Sequence, residues 1–210
     1  MILSRSLCIV PAALFAVSIA HAQSTPWYGG ISAGQSKIKI DDSSAAVTGA
    51  TASTLSKDEN DTGLKLFGGY RFHRNFALEF GYADFGKFSA TRNVTAPVTG
   101  SAKADIKSGG PYIDAVGIIP LANDKLDLFG KVGAIYTTTK SSFSATGPIT
   151  AAGNEKKNEG DWKYGLGAEW HFTPAMGLRA EWERALKVGD PNSTGEGDID
   201  LVSVGLTWRF

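Results

Sequence analysis

The feature that most constrains this chain is an alternation of apolar and polar residues with a period of two, returning in stretch after stretch. Leu64, Leu66, Gly68, Tyr70 and Phe72 share one phase, with Lys65, Phe67, Gly69 and Arg71 on the other. Phe76 to Ala83, Lys125 to Thr137, Asp161 to Phe172, Met176 to Glu183 and Val202 to Phe210 repeat the pattern. Trp27 to Ile40 and Ile106 to Ile119 carry it less cleanly, Pro111 and Asp114 blurring the second. A period of two belongs to strands with two different faces, so eight strands are expected. No stretch after residue 22 reaches the ~18 apolar residues of a spanning helix.

The connections alternate in length. His73-Arg74-Asn75, Leu121 to Asp124, and Thr173-Pro174-Ala175 are tight, whereas roughly 41–61, 87–104, 141–160 and 187–198 are long, polar and read as loops able to bury little. Short turns at one end and long connections at the other are expected of an all-β, eight-stranded antiparallel transmembrane barrel, with both ends of the chain on the short-turn, periplasmic side. Aromatics reinforce this. Trp27, Phe72, Phe76, Trp170, Phe172, Trp208 and Phe210 fall near the short turns, and Tyr82, Tyr136, Trp162 and Trp182 towards the long connections, as two interfacial girdles require. A soluble β-sandwich or lipocalin-like barrel also alternates, but its inward face would be apolar, and here the phase opposite the aromatics is largely polar or charged.

Residues 1–22 read as a cleaved signal peptide: Arg5, an apolar run from Leu7 to Ile19, and the small-x-small site Ala20-His21-Ala22. Cleavage would leave a barrel domain over 23–210 with a formal charge of −1, no cysteine, and His73 and His171 as its histidines. Such a domain has no basic excess for nucleic acid, no thiols for a structural zinc, and fits a bacterial envelope compartment without disulfide chemistry. No cofactor is implied. The run Asp58-Glu59-Asn60-Asp61 lacks a calcium-loop pattern, so no metal site is expected.

In order and spacing, several segments resemble the transmembrane domain of the OmpA family of Gram-negative outer-membrane proteins: Trp27-Tyr28, Phe67-Gly68-Gly69-Tyr70, Leu78 to Tyr82, Pro120 with Asn123 to Leu128, Gly165 to Trp170, Leu178 to Trp182 and Ser203 to Phe210. The resemblance spans nearly all of 27–210. Full-length members carry a periplasmic peptidoglycan-binding domain after the barrel; here the sequence ends with the last strand, so no such tether is implied.

The sharpest chemical feature is a set of charges on the inward phase, Glu79, Lys131, Glu169, Arg179 and Glu181. An eight-stranded lumen is just wide enough to be filled by side chains, so these charges must pair or be desolvated at high cost. The resemblance matches Glu79, Glu169, Arg179 and Glu181 to the family's interior salt-bridge residues, and implies that Arg179 changing partner between Glu79 and Glu169 gates a narrow, porin-like conductance. A satisfied buried network that plugs the lumen is the simpler expectation. Leu206, Trp208 and Phe210 look like the terminal signal read by the barrel assembly machinery. A lipid A-modifying enzyme would need a histidine beside a serine and a carboxylate, and both histidines fall at the tight-turn end, where they read as interface residues. Lys156-Lys157 suggest a contact with lipopolysaccharide phosphates, or simply a charged loop. The leading expectation is a structural, surface-interaction (adhesion-type) protein in the outer membrane, meeting outer-membrane lipids, lipopolysaccharide or a host ligand through its loops. A low-conductance channel and a barrel enzyme are the alternatives.

Overall fold

The computed structural model describes residues 26–38, 52–96, 99–147, 154–188 and 197–210. The signal-peptide segment 1–22 lies outside the described residues. Among the described residues there are nine strands: β1 (Trp27–Ile38), β2 (Ala52–Asp58), β3 (Asn60–His73), β4 (Phe76–Ala96), β5 (Gly100–Leu121), β6 (Leu126–Thr146), β7 (Glu155–His171), β8 (Met176–Val188) and β9 (Gly197–Arg209). Eight of them close a ring in the order β1-β3-β4-β5-β6-β7-β8-β9, with β9 pairing back onto β1 and every pairing antiparallel. The ninth, β2, continues the ladder of β3 along β4, pairing Asp58 with Ser89 where β3 pairs Leu64 with Asp84. Closure leaves no sheet edge through the ring, as a barrel in hydrocarbon requires.

Two expectations need correction. The stretches 87–104 and 141–160, read as loops, are largely strand: β4 runs on to Ala96, β5 starts at Gly100, β6 reaches Thr146 and β7 starts at Glu155. The segment 41–61 likewise contains β2. Serine, threonine and alanine dilute the alternation there, so polarity hid the pairing. Nor do these stretches bury little, since Phe88 is fully buried and Val94 nearly so.

The outward face is apolar. Ile31, Leu64, Leu66, Leu78, Phe80, Ile113, Val132, Leu166, Leu178, Val202, Val204 and Leu206 are exposed on it, and exposed Trp27, Phe72, Phe76, Trp170, Phe172 and Phe210 ring the short-turn end. Tyr82, Tyr136 and Trp162 stand exposed on the other side of the band. Trp27 and Phe210 meet at the short-turn end, the Phe210 amide donating to the Trp27 carbonyl at 3.2 Å.

Two irregularities decide what fills the lumen. The β4–β5 register shifts between Asp84 and Lys87, where Gly86 takes φ +82°. Asp84 accepts from the Gly86 amide at 2.9 Å, and Asp61 accepts from the Lys87 and Thr62 amides. Those two amides, Lys87's above all, hold the Asp61 carboxyl below its ordinary range. A bulge inserts one residue and reverses the phase of the strand beyond it, so Phe88 points inward although Tyr82 and Phe80, of the same parity, point out. A second shift lies between Ala185 and Val188, with Lys187 at φ 55° and its amide on Asp198 Oδ1 at 3.1 Å. It turns Val188 inward in the same way.

Small residues let facing strands approach. A Cβ added to Gly34 would lie against the Val202 carbonyl and 2.5 Å from the Ser203 Cα, all backbone. One added to Gly160 would meet nothing within 4 Å. Gly34→Ala is therefore expected to destabilise the barrel by about 1–3 kcal/mol, and Gly160→Ala to stay within about 0.5 kcal/mol of wild type, as read from urea midpoints in detergent.

Candidate functional site: a two-layered lumen

The inward residues of the middle of the ring form one ion-pair lattice. Arg179 on β8 donates from Nη1 to Glu79 Oε2 on β4 at 2.8 Å. Its Nε stands 3.5 Å from Glu181 Oε2 and 4.0 Å from Glu169 Oε2. Lys131 on β6 reaches Glu181 at 2.7 Å, Glu183 at 2.9 Å and Glu79 at 3.4 Å. The five sequence-predicted residues are thus brought together, Glu169 standing at the edge of the group. Glu79 also accepts from the hydroxyls of Tyr28 at 3.3 Å and Tyr112 at 3.4 Å.

Four further charges complete the lattice. Lys65 pairs with Glu181 and, at 2.6 Å, with Glu183. Lys163 pairs with Glu183 at 2.6 Å and Asp114 at 2.9 Å. All four face inward, and three of them lie on strands whose phase the alternation already sets, so extending that phase to every charge would have found Lys65, Lys163 and Glu183. Asp114 was obscured by Pro111 and the two glycines before it. Burying an ion costs several kcal/mol unless it is paired. Here four cations interleave with five carboxylates, and aromatic rings supply more. The Arg179 guanidinium lies between the rings of Phe67, at 4.7 Å, and Phe129, at 4.1 Å, and the Lys163 ammonium lies 3.6 Å from the Tyr112 ring centre.

Towards the short-turn end the lattice continues into a smaller group. His171, inward on β7, has Nε2 at 3.1 Å from Asp127 and 2.7 Å from Arg209, with Nδ1 at 3.4 Å from Glu169. Arg71 donates to Asp127 at 2.8 Å. His171 faces the lumen, as the alternation over Asp161 to Phe172 places it, and it joins the charge network there in place of a purely interfacial role. His73 does lie exposed, beside the Arg74-Asn75 turn, with Nδ1 accepting from the Asn75 amide at 3.2 Å.

Towards the long-connection end the lumen changes character. Ile38, Phe85, Phe88, Ile135, Ala185, Val188, Ile199 and Leu201 pack as a buried apolar cluster on top of the ion pairs, with Phe88 and Ile199 fully buried. An inward face largely polar or charged was expected; the upper layer is an apolar plug, to which the two bulges add Phe88 and Val188. Leu206 and Trp208 line the outward face of β9 and Phe210 follows its end, Leu206 and Phe210 exposed and Trp208 half-buried. The acidic run is engaged locally: Glu59 stands 3.9 Å from Lys57, and Asp61 holds the β4 bulge.

Comparison with known proteins agrees with this geometry. Outer membrane protein P5 of Haemophilus influenzae is 27% identical, the match covering 98% of this chain and 60% of the relative. Outer membrane protein A of Escherichia fergusonii is 26% identical over 98% of this chain and 54% of its own length. The chain thus spans little more than half the length of these relatives. Among solved structures, OprG of Pseudomonas aeruginosa superposes with a TM-score of 0.55 at 15% identity, covering 89% of this chain and 98% of that one. The N-terminal β-barrel domain of Pseudomonas aeruginosa OprF gives 0.51 at 12% identity, covering 90% of this chain and all of that one. The OmpA-like transmembrane domain matches residues 22–210. With a closed ring, an apolar outer band and a charged lumen beneath that match, the chain belongs to the OmpA-like transmembrane domain family and is an integral β-barrel of the Gram-negative outer membrane.

Proposed function

We propose that the barrel is a closed scaffold whose role is structural and adhesive, carried by the extracellular strand extensions and the segments that join them. The observation that carries this reading is the two-layered lumen, in which the ion-pair lattice is overlaid by the apolar cluster around Phe88 and Ile199. Such a lumen offers no continuous wet path, which leaves the outer end as the working surface. The test is to display the protein on a non-adherent Gram-negative host and replace 39–51 and 148–153 with short Gly-Ser linkers. Attachment to host cells or matrix is expected to fall to background while heat-dependent gel mobility, the mark of an intact barrel, is unchanged. Attachment that survives both replacements overturns the reading.

A second reading, a low-conductance channel gated by Arg179, is favoured by one detail. Arg179 Nε is buried with no hydrogen-bond partner among the described residues, and three carboxylates stand within 4.0 Å of the guanidinium. Clamping between Phe67 and Phe129 opposes the required swing. A catalytic role is not part of the proposal: His171 is held by carboxylates and an arginine at the periplasmic end, away from the outer leaflet where lipid A lies. Residues 1–22 as an export signal, and Leu206, Trp208 and Phe210 as the element read by the assembly machinery, complete the proposal.

A further inference from the structure

The outward face of the extracellular extension carries a row of lysines that strand pairing alone does not explain. Lys87 on β4 is in register with Lys107 on β5, Lys107 with Lys140 on β6, and Lys140 with Lys156 on β7. All four are exposed. Neighbouring strands lie about 4.8 Å apart, so the ammonium groups form a ladder about 14 Å long. Like charges directly opposite each other destabilise a sheet, and here the juxtaposition occurs three times running. Internal carboxylates relieve only part of it. Lys87 reaches Asp105 at 3.1 Å, a carboxylate shared with Lys103 at 3.3 Å, and Lys107 reaches Asp84 at 3.6 Å. Lys140 and Lys156 have no ion pair among the described residues.

The opposite side of the barrel is built differently. There Lys37 on β1 is in register with Asp200 on β9, and Arg184 makes a two-pronged pair with the same Asp200 at 2.7 and 2.8 Å. Where that side sets an acid across from a base, β4–β7 set base across from base. The β4 bulge is part of the design, because it is what turns Lys87 outward into the row.

The height of the row identifies what it meets. Lys140 lies four residues beyond Tyr136, Lys87 five beyond Tyr82, and Lys156 six beyond Trp162, all three aromatics marking the outer edge of the apolar band. At about 3.3 Å per residue and a strand tilt near 40°, the ammonium groups stand on the order of 10–15 Å above the hydrocarbon boundary. In the outer leaflet that layer is the phosphorylated, acidic inner-core sugar of lipopolysaccharide, whose neighbouring anions must be bridged by cations. We propose that Lys87, Lys107, Lys140 and Lys156 form a docking face for the phosphorylated core of lipopolysaccharide, replacing bridging divalent ions on one side of the barrel. This goes beyond the adhesive reading and stands on the outer-membrane placement alone.

The test uses the full chain expressed in a Gram-negative host and purified from its outer membranes in mild detergent. Binding is measured to rough lipopolysaccharide (lipid A plus phosphorylated core), to the same material after chemical dephosphorylation, to lipid A without core, and to a heparin-type sulfated oligosaccharide. The K107Q/K140Q/K156Q variant removes three exposed charges and is expected to keep heat-dependent gel mobility. Its affinity for rough lipopolysaccharide should fall on the order of 100-fold, at about fivefold per lysine. Dephosphorylated material should bind wild type and variant alike and weakly, and lipid A without core should not distinguish them. A K37Q/K187Q control on the opposite side should bind rough lipopolysaccharide as wild type does. Equal affinity of wild type and triple variant overturns the proposal, as does an equal loss in the control, which would reduce the effect to net charge. A variant that loses only the sulfated oligosaccharide would make the row a receptor for soluble polyanions and overturn it too.

Discussion

Glu79→Ala is expected to lower the unfolding free energy of the barrel by about 3–5 kcal/mol, the range for removing one partner of a buried ion pair. Glu79 is fully buried and receives Arg179 at 2.8 Å, Lys131 at 3.4 Å and the hydroxyls of Tyr28 and Tyr112. Truncating it strands two cations in a lumen with little water to receive them. Arg179→Ala strands Glu79 instead and should cost a similar amount. The informative quantity is the double variant. If the two residues act mainly on each other, Glu79→Ala with Arg179→Ala should cost well below the sum of the singles, with a coupling of about 1–3 kcal/mol in a double-mutant cycle. Urea unfolding in detergent, followed by gel mobility and tryptophan fluorescence, measures all three. Additive losses would mean that Lys131 and Glu181 re-pair with whatever is left, and that the lattice is shared rather than built of pairs.

Much of this site was legible from alternation. Once Leu64 and Leu66 face lipid, Lys65 and Phe67 must face in, and the same parity carries Glu79, Lys131, Glu169, Arg179 and Glu181 into one lumen. Closure of the ring then does what local pattern cannot, setting residues 100 apart in sequence, such as Glu79 and Arg179, at 2.8 Å. What parity could not reveal lies beyond the points where parity changes. The bulges at Gly86 and Lys187 depend on Asp61 and Asp198 reaching across to backbone amides. Those contacts span 26 and 11 residues, beyond the reach of a period-two pattern. Past each bulge the inferred face is inverted, so Phe88 reads as a lipid or loop residue and Val188 as outward. The lysine row was hidden for a related reason. It is a property of register between four strands, and each lysine alone reads as an ordinary solvated charge.

The same hidden layer sets the largest functional prediction. If the apolar cluster seals the lumen independently of the ion pairs, Arg179→Ala should leave single-channel recordings in planar bilayers as silent as wild type. Hydrophobic constrictions exclude ions by dewetting, and this one stands in series with the charged layer. Phe88 is its largest fully buried side chain, and Phe88→Ala should cost about 3–5 kcal/mol in stability while the lattice still blocks the lumen. Only the combination of Phe88→Ala with Arg179→Ala removes a constriction from both layers, and it should show discrete small openings, provided gel mobility reports a folded barrel. Openings in Arg179→Ala alone would give the charged layer control of conductance and move the gated-channel reading ahead of the closed scaffold. Openings in Phe88→Ala alone would show that the lattice leaks and that the apolar plug is the seal. Silence in the double variant would mean that the surrounding side chains, Ile199 and Leu201 among them, collapse into the vacated space.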